Sequence, residues 1–236
     1  TPSTRASISG ELRPVFAEPK HPYPFLIRFV GPEIMLVPDL AEGFRRALRG
    51  ASAHFGPQNS LWSVREFDGQ ICYVRSYFPS TLGQIIERYE YIELEDLLTV
   101  LLRIVDEVNN WHRAGFFHAH LTVENIFIDE SGNVSLIDAM IGGATIAALS
   151  QIASEEVLLR YPNNEFAPEV LHGRIGKSAD LYNLGSIISQ LLPYSVVKGK
   201  TQRTRKIISS MELLSERLMH KEPHKRLSLD VLKSEL

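Results

Sequence analysis

The sequence contains a single cysteine, Cys72, in 236 residues. One thiol excludes an internal disulfide framework and a cysteine-based zinc site. Nowhere does an apolar run approach the ~20 residues that span a bilayer. Charge of one sign is also lacking: 25 Lys and Arg stand against 28 Asp and Glu, a net charge of −3. A dedicated nucleic-acid binder would be far more basic. Glycine is scarce where the chain begins, with only Gly10 among residues 1–24. What is present is ordinary for a globular protein, with 44% hydrophobic and 22% charged residues. The cysteine usage points to a cytoplasmic setting, with a secreted effector as the alternative. The first residue is Thr1, which reads as a processed product or a domain cut from a longer protein.

Residues 1–24 are polar and carry five prolines, reading as an irregular arm with one strand around Glu11–Ala17. Phe25–Val30 reads as a strand closed by Gly31-Pro32, and Asp39–Arg49 as a helix ended by Gly50. Ser60–Phe67 and Gln70–Tyr77 form a hairpin across Asp68-Gly69, a dipeptide that favours a tight turn. After Pro79 the pattern becomes helical. Thr81–Tyr89 is a short helix. Glu93–Arg113 is a long one, with Leu97, Leu98, Leu101, Leu102, Val105, Val108 and Trp111 as its apolar stripe. A second hairpin pairs Asn125–Asp129 with Val134–Asp138, and helices follow near Ser178–Leu192, Ile207–His220 and Leu227–Leu236. Strands crowd the first third and helices the rest, which predicts an α+β chain in two unequal lobes rather than an alternating parallel sheet.

Four motifs stand in order: His118-Ala119-His120-Leu121-Thr122-Val123-Glu124-Asn125, Asp138-Ala139-Met140, Ala167-Pro168-Glu169 and Ser178-Ala179-Asp180, with Arg226 beyond them. Together they resemble the protein kinase domain, whose pattern is H-R-D-L-x-x-x-N, D-F-G and A-P-E. The resemblance runs over about residues 25–236. It implies a two-lobed protein-kinase-like fold: an arm at 1–24, a reduced and mainly-β N-lobe at 25–78 and a mainly-α C-lobe at 79–236. It also implies that His118, Asp180 and the pair Glu169 and Arg226 hold the fold. Asn125 and Asp138 match the positions that hold Mg²⁺ against the phosphates.

Other positions depart from the family. His120 stands where the aspartate orients the substrate hydroxyl. Thr122 replaces the phosphate-contacting lysine two residues later, and Ala119 the arginine before it. Arg28 stands where the lysine of V-A-I-K would lie. Its glutamate partner has no evident counterpart, since the Asp39–Arg49 helix offers Glu42 early and then Arg45, Arg46 and Arg49. The glycine-rich loop, whose backbone must approach phosphates closely, is missing.

Each signal has two readings. Asn125 and Asp138 hold Mg²⁺–nucleotide, or bond their own loops. His120 is a general base near neutral pH, or a histidine in a degenerate site. Arg28 forks onto a phosphate, or lies on an edge strand with its head in water. His112, His118 and His120 match no zinc spacing. Lys198, Lys200, Arg203, Arg205 and Lys206 form a basic run that docks an acidic partner or is a solvated loop. Retained fold residues beside lost chemical ones resemble a pseudokinase, which binds a partner protein or other domains of a longer chain as scaffold or allosteric regulator. No metal, nucleic acid or transmembrane segment is expected. No cofactor is expected either, ATP with Mg²⁺ being the one left open. The rival readings are an atypical kinase-fold enzyme transferring a nucleotidyl, glutamyl or phosphoryl group, and a nucleotide sensor.

Overall fold

A computed structural model describes residues 13–15, 25–29, 41, 42, 45, 61–67, 70–76, 80–89, 91–139, 166–196 and 201–236. Four antiparallel strands come first: β1 (Arg13–Val15), β2 (Phe25–Phe29), β3 (Leu61–Phe67) and β4 (Gln70–Ser76). Their order in the sheet is β1-β2-β4-β3, so β4 is an inner strand with β2 on one side and β3 on the other. Residues 41, 42 and 45 are helical; the rest of the Asp39–Arg49 helix lies outside the described residues. Arg45 reaches Glu66 of β3 at 3.3 Å, while Glu42 lies 3.5 Å from Arg45 at the surface.

Ile71 and Tyr73 alternate on β4, and both are fully buried in the main apolar cluster. Strand geometry sends alternate side chains to one face, so Arg75 follows them. Opposite it the register of β3 slips between Leu61 and Ser63, a bulge that locally bends the sheet.

Helices dominate after residue 80. Helix α1 (Leu82–Arg88) starts with a capping box in which Thr81 and Gln84 satisfy each other's backbone N–H. A two-residue strand β5 (Ile92–Glu93) leads into α2 (Leu94–Arg113). The buried stripe of α2 is Leu94, Leu97, Leu101, Ile104, Val105, Val108 and Trp111, a three-to-four spacing. Leu98 and Leu102, read into that stripe from the sequence, are only partly buried because they sit at its edge. The second hairpin is β6 (Ile126–Ile128) with β7 (Val134–Leu136). Asp129 closes its turn by accepting from the backbone N–H of Ser131 and Asn133.

A short helix α3 (Pro168–Leu171) precedes α4 (Lys177–Leu191), whose residues are buried on nearly all sides. Strand β8 (Ser195–Val196) pairs in parallel with β5. Helix α5 (Gln202–Leu218) follows, then α6 (Leu229–Glu235). The first turns of α5 take up Arg203, Arg205 and Lys206, so this half of the basic run is helix rather than solvated loop. Thr201 caps that helix by accepting from the Thr204 N–H, and the sequence pattern hid this start because it carries no apolar residue before Ile207. Lys198 and Lys200 lie outside the described residues. Helix α4 sits against α5 at Gly185, where an added Cβ would come within 2.8 Å of Leu218 Cβ and the Ser215 carbonyl. Among the described residues no helix is long and apolar enough to cross a membrane.

Candidate functional site

The segment between α2 and β6 is held by one carboxylate. Asp180, in the first turn of α4, accepts from the backbone N–H of His118 at 2.9 Å and of Ala119 at 2.7 Å. It also lies 2.8 Å from His112 Nε2. A carboxylate only accepts, so that nitrogen carries the proton. Asn183, one turn on, accepts from the Leu121 N–H at 3.1 Å. These contacts pin Ala119 at φ 67°, a left-handed conformation. Motif spacing cannot show that strain.

The far side of the loop closes on β7. His118 Nε2 lies 2.8 Å from the Ile137 carbonyl, and the Ile137 N–H donates to the Asn125 carbonyl at 2.9 Å. Asn125 Nδ2 donates to the His120 carbonyl at 2.9 Å. The structure therefore brings His118, His120, Asn125 and Asp138 together around Ile137. Asp138 itself has φ 61° and is buried. Burial lowers the His118 pKa below its ordinary value. Its imidazole is neutral, with Nε2 protonated toward the Ile137 carbonyl and Nδ1 buried without a hydrogen-bond partner among the described residues.

His120 stacks on Phe166, ring centroids 4.1 Å apart and planes 7° from parallel. His120 Nε2 is buried and has no hydrogen-bond partner among the described residues. Desolvation, then the nearby His118, push its pKa down to about 3; Asp138 opposes them. His112, His118 and His120 are thus engaged separately. Among the described residues no group of three or more His, Cys, Asp and Glu side chains could hold a metal ion.

Asp138 meets Arg75, which the sequence pattern alone did not single out. Arg75 Nε lies 2.8 Å from Asp138 Oδ1, and both side chains are buried, at 9% and 5% exposure. The signal was legible in β4: an arginine two residues beyond Tyr73 shares the buried face, and a buried guanidinium demands an anion. Arg28 lies on β2 with its backbone opposite Tyr73. Its side chain is outside the described residues, as are Met140 and Gly142-Gly143. Ala139 is fully buried in the main apolar cluster.

A second buried pair lies below the loop. Arg226 grips Glu169 with NH1 on Oε1 at 2.5 Å and NH2 on Oε2 at 2.7 Å. The guanidinium also donates to the Ser178 and His220 carbonyls and stacks over Tyr182. These bonds lower the Glu169 pKa against the desolvation that would raise it. Arg203, Arg205 and Lys206 lie exposed on α5.

The chain has counterparts among known proteins. The family profile described as protein kinase domain matches residues 60–235. The maternal embryonic leucine zipper kinase of Xenopus tropicalis is 28% identical over 201 residues, covering 74% of this chain and 29% of that protein. CBL-interacting protein kinase 17 of Oryza sativa subsp. japonica is 28% identical over 151 residues, covering 56% of this chain and 32% of that protein. The chain spans less than a third of the length of these relatives. Among solved structures, PpkA-294 in its apo form superposes with a TM-score of 0.64 at 14% identity, over 90% of this chain and 86% of that one. That likeness is one of fold: small N-terminal strands followed by a helical C-terminal part. From β3 to α6 the match is continuous, and the chain belongs to the protein kinase domain family.

Proposed function

We propose that this chain is a catalytically inactive kinase-fold domain that serves a partner protein, or other domains of a longer chain, as a scaffold or allosteric regulator. His120 carries the reading. Active kinases place a carboxylate there to accept the hydroxyl proton. A neutral imidazole with a pKa of about 3 is too weak a base for that work near pH 7. Thr122, two residues on, offers no cation to a phosphate.

The residues present do not fit metal-bound ATP as the family holds it. Its two metal-holding positions are Asn125 and Asp138. Asn125 donates Nδ2 to the His120 carbonyl, a bond that does not engage Oδ1, the atom that would hold a metal; the misfit lies at Asp138, whose carboxylate meets the Arg75 guanidinium. A partner surface is supported by α5, where Lys206 and Leu213 lie two turns apart on one exposed face with Arg203 and Arg205 nearby. Such a surface suits an acidic partner.

The test is a transfer assay on the purified chain with labelled ATP, glutamate and generic acceptors, with and without Mg²⁺ or Mn²⁺. No transfer above a heat-denatured control is expected. Transfer that disappears in His120→Ala would overturn the reading and favour an atypical enzyme.

A further inference from the structure

We propose that Arg75 is the resident cation of this site, standing on Asp138 where active members of the family place a divalent metal. It goes beyond loss of the base, because it concerns what Asp138 can bind.

Asp138 is buried and left-handed, directly after Ile137, whose N–H and carbonyl are held by Asn125 and His118. The backbone that carries its carboxylate is therefore held by the loop. His118 and His120 are among the described groups near Asp138. A buried carboxylate so placed is costly without a cation. A metal would neutralise it and bridge to phosphate oxygens. Here Arg75 does so from β4, at 2.8 Å.

The position of Arg75 is also built. It follows Ile71 and Tyr73 on the buried face of an inner strand, opposite the register shift in β3 between Leu61 and Ser63. An arginine there would be expelled to water unless a carboxylate met it. A guanidinium differs from a metal in one respect: it cannot dissociate. The Asp138 carboxylate is thus committed within the chain, and a metal-bound phosphate meets a fixed positive group in place of a ligand.

The experiment uses the purified chain and reads thermal midpoints with Mn²⁺ alone and with Mn²⁺ plus ATP. Wild type is expected to be indifferent to the metal. Arg75→Met, which keeps the bulk and removes the charge, is expected to gain a metal-dependent rise of several degrees. That rise is expected to vanish in Arg75→Met with Asp138→Asn, and never to arise in Arg75→Lys. A metal-dependent rise in wild type that Asp138→Asn removes would overturn the proposal, and so would an Arg75→Met chain that folds and stays indifferent. Should Arg75→Met fail to fold, urea unfolding compares Asp138→Asn with the double variant. Recovery of stability on removing the stranded guanidinium supports the pairing; further loss overturns it. Failure here is separable from failure of the non-catalytic reading. A metal-dependent rise in wild type without transfer sinks only this inference, whereas metal-independent transfer sinks only the other.

Discussion

Arg226 and Glu169 meet fork to fork, two parallel N–H···O contacts at 2.5 and 2.7 Å with the guanidinium fully buried. The pair joins the A-P-E segment to the turn before α6, across the foot of α4. Breaking a buried pair by removing one partner strands the other charge and costs ~3–5 kcal/mol. Glu169→Gln and Arg226→Ala are expected to lose that much in urea unfolding. Arg226→Lys should rescue little, since an ammonium cannot make both contacts.

Acid should unfold this chain earlier than its carboxylates alone would require. His118 and His120 are neutral when folded, with pKa values below the ordinary 6.5, that of His120 at about 3. When unfolded they protonate near 6.5, so below that pH the unfolded state binds more protons and stability falls with pH. The slope reaches about 1.4 kcal/mol per pH unit for each such histidine, as an upper bound. Loss is expected from about pH 6.5 downward. Glu169, whose folded pKa is also lowered, adds a further loss below its ordinary 4.5. Urea midpoints at pH 7.5, 6.5, 5.5 and 4.5, about one unit apart, should show the earlier loss, and His120→Gln should flatten its upper part.

Gly185 lies where α4 and α5 touch, and the Ser215 hydroxyl donates to its carbonyl at 2.8 Å. A methyl group there would meet both backbone and side chain of α5 at 2.8 Å. Gly185→Ala is expected to destabilise by ~1–3 kcal/mol, against the usual helical gain of alanine over glycine. Thermal unfolding checks the sign: a higher midpoint would mean that α5 yields without cost.

Restoring two lost side chains should not restore transfer. His120→Asp with Thr122→Lys returns the family residues at those positions, yet Arg75 still lies on Asp138. The double variant is expected to stay inactive toward ATP and a generic protein acceptor. Adding Arg75→Met is the step expected to permit metal-dependent nucleotide binding, read by thermal shift. Activity in the double variant alone would show that Arg75 is no obstacle.

The strands, the long helix and the second hairpin were legible because their periodicities are strong. Helix α2 carries seven buried residues at helical spacing, and β3 and β4 pair on either side of the Asp-Gly dipeptide. The start of α5 was not legible, because Gln202–Lys206 offers only polar residues and its signal is the Thr201 cap. In the site, the motif positions were readable in order, and Arg75 lay outside them, since pattern matching tests positions where a family has a signature. Its burial follows from a plainer rule, alternation along β4 from Ile71. The left-handed backbone at Ala119 and Asp138 has no sequence signal at all, because neither residue type announces it.

Helix α5 opens with no acidic residue in its first turn and with Arg203, Arg205 and Lys206 near its positive end. Most helices place anions there, and each misplaced cation costs ~0.3–1 kcal/mol at low ionic strength. That end of the helix therefore repels itself in dilute buffer. Salt relieves the repulsion, so this part of the chain should tighten as ionic strength rises, and an approaching acidic surface would relieve it further.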